Sequence, residues 1–175
     1  MGRRKSIAMW STGCSSGEEV YSLAMIALDE FAKAKRPASA FRIFGTDINQ
    51  ERINEGRAGH YGRPSAEAFA PAYWTLLKRY AQVEGAGVYM GDELRGVAKF
   101  GLFDMRQKPK THTFDFIVCN HVLQYYDNPG QIHILKNLVA VLNPGGYLYL
   151  EGITDAAVSG VQLRKTQGNF YLPPE

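Results

Sequence analysis

Short apolar runs alternate with helix-period segments along this chain, and that alternation leaves few folds open. The clearest run is Phe114 to Cys119, F-D-F-I-V-C, which has the length and apolar content of a strand buried on both faces. Ile7 to Trp10 and Phe41 to Phe44 are shorter runs of the same kind. Between these two, Val20, Ala24, Ala27 and Phe31 recur at helical spacing, with Leu23 beside them. Glu18 and Glu19 fall in the first turn, where carboxylates suit the helix dipole, and Ser15 or Ser16 suits the cap. Lys33, Lys35 and Arg36 favour the other end, and Pro37 bars continuation.

The rest of the chain continues the alternation. Helices are expected from Asn49 to about Ala58 and from Phe69 to Tyr80, with a turn at Gly59 to Pro64 and a helical turn at Asp92 to Val97. Gly85 to Gly91 reads as a small hairpin or bend, and Ala98 to Phe103 as a strand closed by Asp104. After the strand ending at Cys119, Asn128 is the expected cap of a helix with Pro129 at its first position and Gln131 completing a capping box. Ile132, Leu135, Leu138, Val139 and Leu142 would line its buried face until Asn143-Pro144-Gly145-Gly146 stops it. Tyr147 to Leu150 reads as a strand, and Val161 to Leu163 with Asn169 to Leu172 as a hairpin around Thr166 to Gly168. Strands alternating with helices imply an α/β fold, a mostly parallel sheet with helices on both faces. Residues 61–97 are the least regular and read as an irregular lobe or small insert over the carboxyl edge of the sheet.

At 175 residues the chain suits a single domain, 1–175. Its 45% hydrophobic and 21% charged content is that of a globular protein, not a disordered one. No apolar run approaches membrane-spanning length, so no membrane insertion is expected and a cytoplasmic location is the default. A net charge of +3 is too weak to argue for nucleic acid. Two cysteines, Cys14 and Cys119, read as buried free thiols, and no Cys/His cluster has metal-ligand spacing. A homodimer is compatible with all of this.

In open α/β sheets ligands bind at the carboxyl ends of the strands. Three such ends carry polar residues. The first is Ser11-Thr12-Gly13-Cys14-Ser15-Ser16-Gly17-Glu18-Glu19. It has neither the dinucleotide nor the P-loop glycine pattern, and its two glutamates would repel phosphate. It reads equally as a cradle for a cationic ligand group or as a plain strand-to-helix turn. The second is Asp47, where a ribose diol is gripped in nucleotide-binding sheets; the alternative is a cap for the helix at Asn49. The third is Asp104, with Asn120 and His121 after the core strand; an Asp or Asn at such an edge can receive an adenine amine. Together the three ends describe a pocket for an adenosine with a positively charged tail, which fits S-adenosyl-L-methionine. Methyl transfer from that cofactor needs alignment more than a strong nucleophile, and no hydrolase or metalloprotease signature is present.

These residues bear a specific family resemblance. The stretch from Met9 to about Tyr171 resembles the catalytic domain of the chemotaxis receptor glutamate methyltransferases, the CheR family. Trp10 to Glu19 with Tyr21-Ser22 resembles its cofactor loop, and Gly45-Thr46-Asp47-Ile48 its ribose-binding strand end. Phe114 to Cys119 with Val122-Leu123-Gln124-Tyr125-Tyr126-Asp127 resembles its central signature, and Leu142 to Leu148 its last parallel strand. The resemblance implies a class I, Rossmann-like methyltransferase fold with a seven-stranded, mostly parallel sheet. It implies cofactor contacts from Ser11, Thr12, Gly13, Glu18, Tyr21, Asp47, Ile48, Asp104, Met105 and Asn120. Glu18 would meet the methionine end, Asp47 the ribose, and Asp104 with Met105 the surroundings of adenine. Tyr125, Asn120 and His121 would stand at the acceptor; the alternative for Tyr125 is an aromatic on the first turn beyond the core strand.

Two departures bear on the acceptor. Where the family carries Arg-Asn after the position of Cys119, this chain has Asn120-His121, so the arginine suited to a carboxylate is replaced unless Arg106 or Arg164 reaches in. Where the family often carries Gly-His-Ser-Glu, this chain has Glu151-Gly152-Ile153-Thr154. The family's N-terminal helical domain is expected to be absent, since the first strand begins almost at Met1, and its β-subdomain to be small. The expected activity is methyl transfer to a small-molecule or protein carboxylate acceptor, the alternative being a regulatory domain that retains the cofactor pocket.

Overall fold

The structure is a computed structural model and describes residues 6–62, 74–110 and 112–174. Its strands are β1 (Ile7–Thr12), β2 (Phe41–Asp47), β3 (His60–Gly62), β4 (Ala81–Glu84), β5 (Gly87–Met90), β6 (Ala98–Leu102), β7 (Phe114–Cys119), β8 (Leu142–Leu150), β9 (Arg164–Lys165) and β10 (Phe170–Leu172). Its helices are α1 (Glu18–Lys33), α2 (Gln50–Ala58), α3 (Trp74–Tyr80), α4 (Asp92–Val97), α5 (Asn128–Val139) and α6 (Asp155–Gly160). The main sheet has seven strands in the order β6-β2-β1-β7-β8-β10-β9. From β6 to β8 all neighbours are parallel, while β10 runs antiparallel to both β8 and β9. This is the class I, Rossmann-like α/β architecture.

Strand side chains alternate between two apolar cores, as a pleat of period two requires. Ile7 and Met9 of β1 and Phe41 and Ile43 of β2 join Val20, Ala24, Leu28, Ile53 and Leu94 from α1, α2 and α4. Ala8 and Trp10 of β1 and Phe44 of β2 join Ile134, Leu135, Leu138 and Ala157 from α5 and α6. Covering both faces explains the apolar runs Ile7 to Trp10 in β1 and Phe116 to Cys119 in β7. The strand order reverses beside β1, which has β2 on one side and β7 on the other. That crevice is where such sheets take their ligands.

Several local expectations are corrected. Helix α1 begins after Gly17 (φ 91°) with no side-chain cap, because Ser16 instead donates to the Glu18 carboxylate at 2.9 and 2.7 Å. Helix α5 is capped by Asp127, which accepts from Gly130 N at 2.9 Å; Asn128 instead accepts from Thr154 Oγ1 at 2.8 Å. Gln131 forms no capping box. It is buried and staples the preceding loop, donating to Leu123 O and Tyr126 O at 3.0 and 3.1 Å and accepting from Thr154 N at 3.1 Å. The Asn-Pro-Gly-Gly segment lies inside β8, since Asn143 donates to Asp115 of β7 at 3.0 Å; the helix ends earlier, at Val139. The last hairpin pairs Arg164–Lys165 with Phe170–Leu172, while Val161 and Leu163 turn into the core.

The stretch 61–97, expected to be irregular, carries regular structure: β3, β5 and β4 form a three-stranded antiparallel sheet. Its hairpin starts earlier than expected, at Ala81, and turns at Gly85 and Ala86. The expected helix from Phe69 is present as Trp74–Tyr80; its beginning lies outside the described residues. Tyr61 anchors this small sheet to the first loop, donating to Ser16 O at 2.7 Å. Among the described residues no helix is long and apolar enough to cross a membrane.

Candidate active site

The loop after β1 is fixed by main chain. Gly13 N and Cys14 N both donate to Thr46 O at the end of β2, at 2.7 and 2.9 Å. Trp10 Nε1 donates to Thr46 Oγ1 at 2.9 Å from below. One Asp47 oxygen accepts from Ser15 N and the other from Asn49 N, each at 2.9 Å. Asp47 therefore braces two turns. The cap of α2 is Asn49, which accepts from Glu51 N and Arg52 N at 2.9 and 3.3 Å. A carboxylate offers about four lone-pair sites, so each Asp47 oxygen can accept a further bond.

Above this loop opens a cleft of about 500 Å³, a size typical of cofactor sites. It is lined by Gly13 from the turn after β1, Asp47 and Ile48 from the end of β2 and Phe103 and Met105 after β6 on one side of β1, and Asn120, His121 and Tyr125 after β7 on the other. Gly13 has φ 70°, and a Cβ there would stand 2.5 Å from Val122 Cγ2, so only glycine keeps the cleft floor open.

Beneath the cleft lies a buried polar cluster. Ser11 Oγ donates to Glu19 at 2.7 Å, and the Asn120 amide also bonds this carboxylate. Burial pushes the Glu19 carboxyl above its ordinary range, with repulsion from Glu151 adding to it. Thr12 Oγ1 and Asn120 Oδ1 are buried and meet no hydrogen-bond partner among the described residues. An unsatisfied buried acceptor costs about 1–3 kcal/mol, so a ligand donor that met one would recover that energy.

Not every expected residue faces the cleft. Glu18 is held by Ser16, and Ser11 supports Glu19 from below. Tyr21 is buried and donates to Gly56 O at 2.9 Å, pinning α1 to α2; burial pushes its hydroxyl up to about 12. Asp104 is held below the ordinary carboxylate range by Arg106, whose Nη2 lies 2.6 Å from it. The cleft wall comes from the neighbours Phe103 and Met105 instead. That ion pair also engages Arg106, and Arg164 donates to Pro173 O at 3.4 Å; neither lines the cleft. Tyr126 lines the cleft beside Tyr125, while Ser15, Phe103 and Val122 line it without having been expected there. Their signal lay in adjacency to Gly13, Asp104 and His121. Cys14 and Cys119 are buried free thiols, as the sequence suggested.

Residues 1–166 match the family described as CheR methyltransferase, SAM binding domain. The chain belongs to the CheR family. It is 31% identical over 156 residues to the chemotaxis protein methyltransferase of Escherichia coli, covering 84% of this chain and 52% of that one. It is 30% identical over 146 residues to a probable chemotaxis protein methyltransferase of Rhizobium etli, covering 82% and 54%. A 104.1 kDa protein of Rhodobacter capsulatus is 29% identical over 147 residues, covering 84% of this chain and 15% of that protein. This CheR-family chain thus spans about half the length of the two chemotaxis relatives. The crystal structure of the glycopeptide N-methyltransferase MtfA superposes with a TM-score of 0.52 at 11% identity, covering 82% of this chain and 45% of that one; the likeness is one of fold.

Proposed function

We propose that this chain is the catalytic domain of an S-adenosyl-L-methionine-dependent methyltransferase working in the cytoplasm, with a small molecule or a protein side chain as acceptor. The observation that carries the reading is the orphaned Asn120 Oδ1 in a cleft whose opposite end presents Asp47. That combination suits a nucleoside with a cationic tail and no phosphate. Asp47 has lone pairs left for two ribose hydroxyls. Phe103, Met105, Val122 and Tyr126 offer apolar walls for a purine. Asn120 Oδ1, which lines the cleft and has no partner among the described residues, is an acceptor for an amino group, and the ionised Glu151 adds negative potential nearby. The bound cofactor supplies a methyl group already activated on a sulfonium. The work left to the protein is alignment and the exclusion of water. His121 and Tyr125, at the cleft mouth, would meet the acceptor.

Titration calorimetry of the full chain with S-adenosylhomocysteine tests the reading. Saturable one-to-one binding is expected; no binding up to millimolar ligand rejects it. Binding without transfer to any acceptor would favour a regulatory domain that keeps the pocket.

A further inference from the structure

His121 and Glu151 come from the ends of neighbouring strands, β7 and β8, and meet at the cleft mouth. His121 Nε2 lies 2.9 Å from Glu151 Oε2. The other Glu151 oxygen is already engaged. Tyr149 Oη donates to Oε1, and Asn169 Nδ2 donates to the same atom at 2.9 Å. Oε2 is therefore the oxygen left for the imidazole. The Tyr149 hydrogen bond, with help from Asn169 and His121, holds the Glu151 carboxyl below its ordinary range, so it is ionised and acceptor-only. An acceptor-only partner requires Nε2 to carry the hydrogen. In the neutral ring that leaves the lone pair on Nδ1.

The backbone fixes this arrangement. His121 has φ 55°, a left-handed conformation in which histidine is enriched but still uncommon. Glu151 N donates to Cys119 O at 3.2 Å, which couples the two strand ends. Gly152 (φ 67°) turns the chain beside Glu151, where a Cβ would stand 3.2 Å from Gln124 Oε1. Strained conformations persist at functional sites when the surroundings over-determine them.

Charge argues in the same direction. The described residues lining the cleft include Asp47 and no lysine or arginine. Glu19 and Glu151 lie behind Asn120 and His121. Among the described residues, a carboxylate entering here would meet Asp47 and Glu151 and no bidentate cation. A neutral hydroxyl or amine would meet a base and the ring of Tyr125.

We propose that His121 is the general base of the reaction, positioned by Glu151, and that the acceptor is a neutral protic group, a hydroxyl or amine, instead of a carboxylate. This rests on the methyltransferase reading above. The acceptor's oxygen or nitrogen lone pair forms the new bond to the methyl carbon. The carbon–sulfur bond breaks with its electron pair passing to sulfur, leaving a neutral thioether. The acceptor's proton passes to His121 Nδ1, and the imidazolium so formed faces Glu151. A carboxylate acceptor, already an anion, would need no base.

The test uses the full chain in two arms. The first is ¹⁵N NMR of histidine-labelled protein without cofactor. His121 is expected to show the Nε2–H tautomer, and Glu151→Gln, which keeps the Tyr149 and Asn169 partners in place, is expected to abolish that preference. A ring spectrum untouched by Glu151→Gln overturns the proposal. The second arm is methyl transfer to a panel of phenols, alcohols, amines and carboxylic acids. Hydroxyl or amine acceptors are expected to react, and His121→Asn, chosen because Asn tolerates a positive φ, should slow them by about 10²–10⁴-fold with S-adenosylhomocysteine affinity unchanged. Preference for carboxylic acids, transfer to none of the panel, or an unchanged rate in His121→Asn, overturns it while leaving cofactor binding standing. Failure of the wild type to bind S-adenosylhomocysteine overturns the methyltransferase reading itself.

Discussion

At the donor end of the cleft, position is set by main chain: Gly13 N and Cys14 N share Thr46 O, and Asp47 holds Ser15 N and Asn49 N. At the acceptor end, side chains do the reaching. His121 meets Glu151, and Gln131 ties Leu123 and Tyr126 to Thr154. The donor-end turn hangs on the buried strand residues Ser11 and Thr12, with Ile48 exposed at its rim, whereas Tyr125 at the other end is 79% exposed and hangs on a short turn. A main-chain cradle tolerates little change, because altering it disturbs strands of the core. A side-chain mouth can be rebuilt without unfolding anything. One domain can thus keep its donor site while its acceptor changes.

The sharpest way to break this contrast is a single methyl at the donor end. Gly13→Ala puts a Cβ 2.5 Å from Val122 Cγ2 at φ 70°. Backbone strain of about 1–2 kcal/mol adds to overpacking of about 1–3 kcal/mol. Loss of S-adenosylhomocysteine affinity of about a hundredfold or more is expected by calorimetry on protein whose fold is verified by circular dichroism. Retained affinity would mean that the cradle is as adaptable as the mouth.

Next in size is Asp47→Ala. A charged hydrogen-bond acceptor is worth about 1.5–3 kcal/mol, so cofactor affinity should fall about ten- to a hundredfold. Part of that loss comes from the freed Ser15 and Asn49 amides, so Asp47→Asn, which keeps one acceptor oxygen, should lose less. Equal losses in the two variants would show that Asp47 acts by charge alone.

The two ends also differ in how much the sequence revealed. Gly13, Asp47 and Ile48 were legible because a strand, its turn and the next helix are contiguous, and turn chemistry is local. The parallel strands were legible from apolar runs, though their ends moved. The mouth was legible only as names. His121 stood out, but its partner Glu151 lies on the next strand, and nothing in one-dimensional spacing joins them. Gln131 sits where a capping box wants it, yet long-range bonds to Thr154 and Leu123 outcompete that local use. Asp104 had the right position for adenine, but Arg106 two residues on claims it. The three-stranded lobe was missed because β3 lies outside its hairpin in sequence.

Alkaline pH sharpens the comparison, because buried thiols lie beside the strand ends. Burial pushes Cys14 and Cys119 from 9.0 up to about 12; Asp47 adds to the shift at Cys14 and Glu19 at Cys119. Between those values the unfolded chain has lost the proton and the folded chain retains it. The stability these thiols contribute is therefore complete below pH 9.0 and is lost progressively as pH rises toward about 12. At about pH 10.5 each accounts for about 2 kcal/mol. Urea midpoints measured at neutral pH and at about pH 10.5 should show the fall, and Cys119→Ala should flatten the slope. A flat profile in the wild type would place both thiols in contact with water.

The smallest effect on fold and donor binding is expected from Tyr125→Ala, at the opposite end of the contrast. The Leu123–Tyr125 turn is held by Gln131 bonding Leu123 O and by Tyr125 N donating to Val122 O at 3.2 Å, neither of which uses the tyrosine ring. Removing an exposed ring changes stability by about 0.5 kcal/mol or less. Donor affinity should move little, since the cradle at Gly13 and Asp47 is untouched. What should change is the acceptor: Tyr125 is one of the walls of the mouth, so KM for the acceptor should rise while S-adenosylhomocysteine binding holds. Tyr125→Phe separates wall from hydroxyl. A KM restored by Phe assigns the residue to packing against the acceptor, and one that stays high assigns its hydroxyl to a hydrogen bond. A large loss of donor affinity in Tyr125→Ala would merge the two ends into one site and undo the comparison.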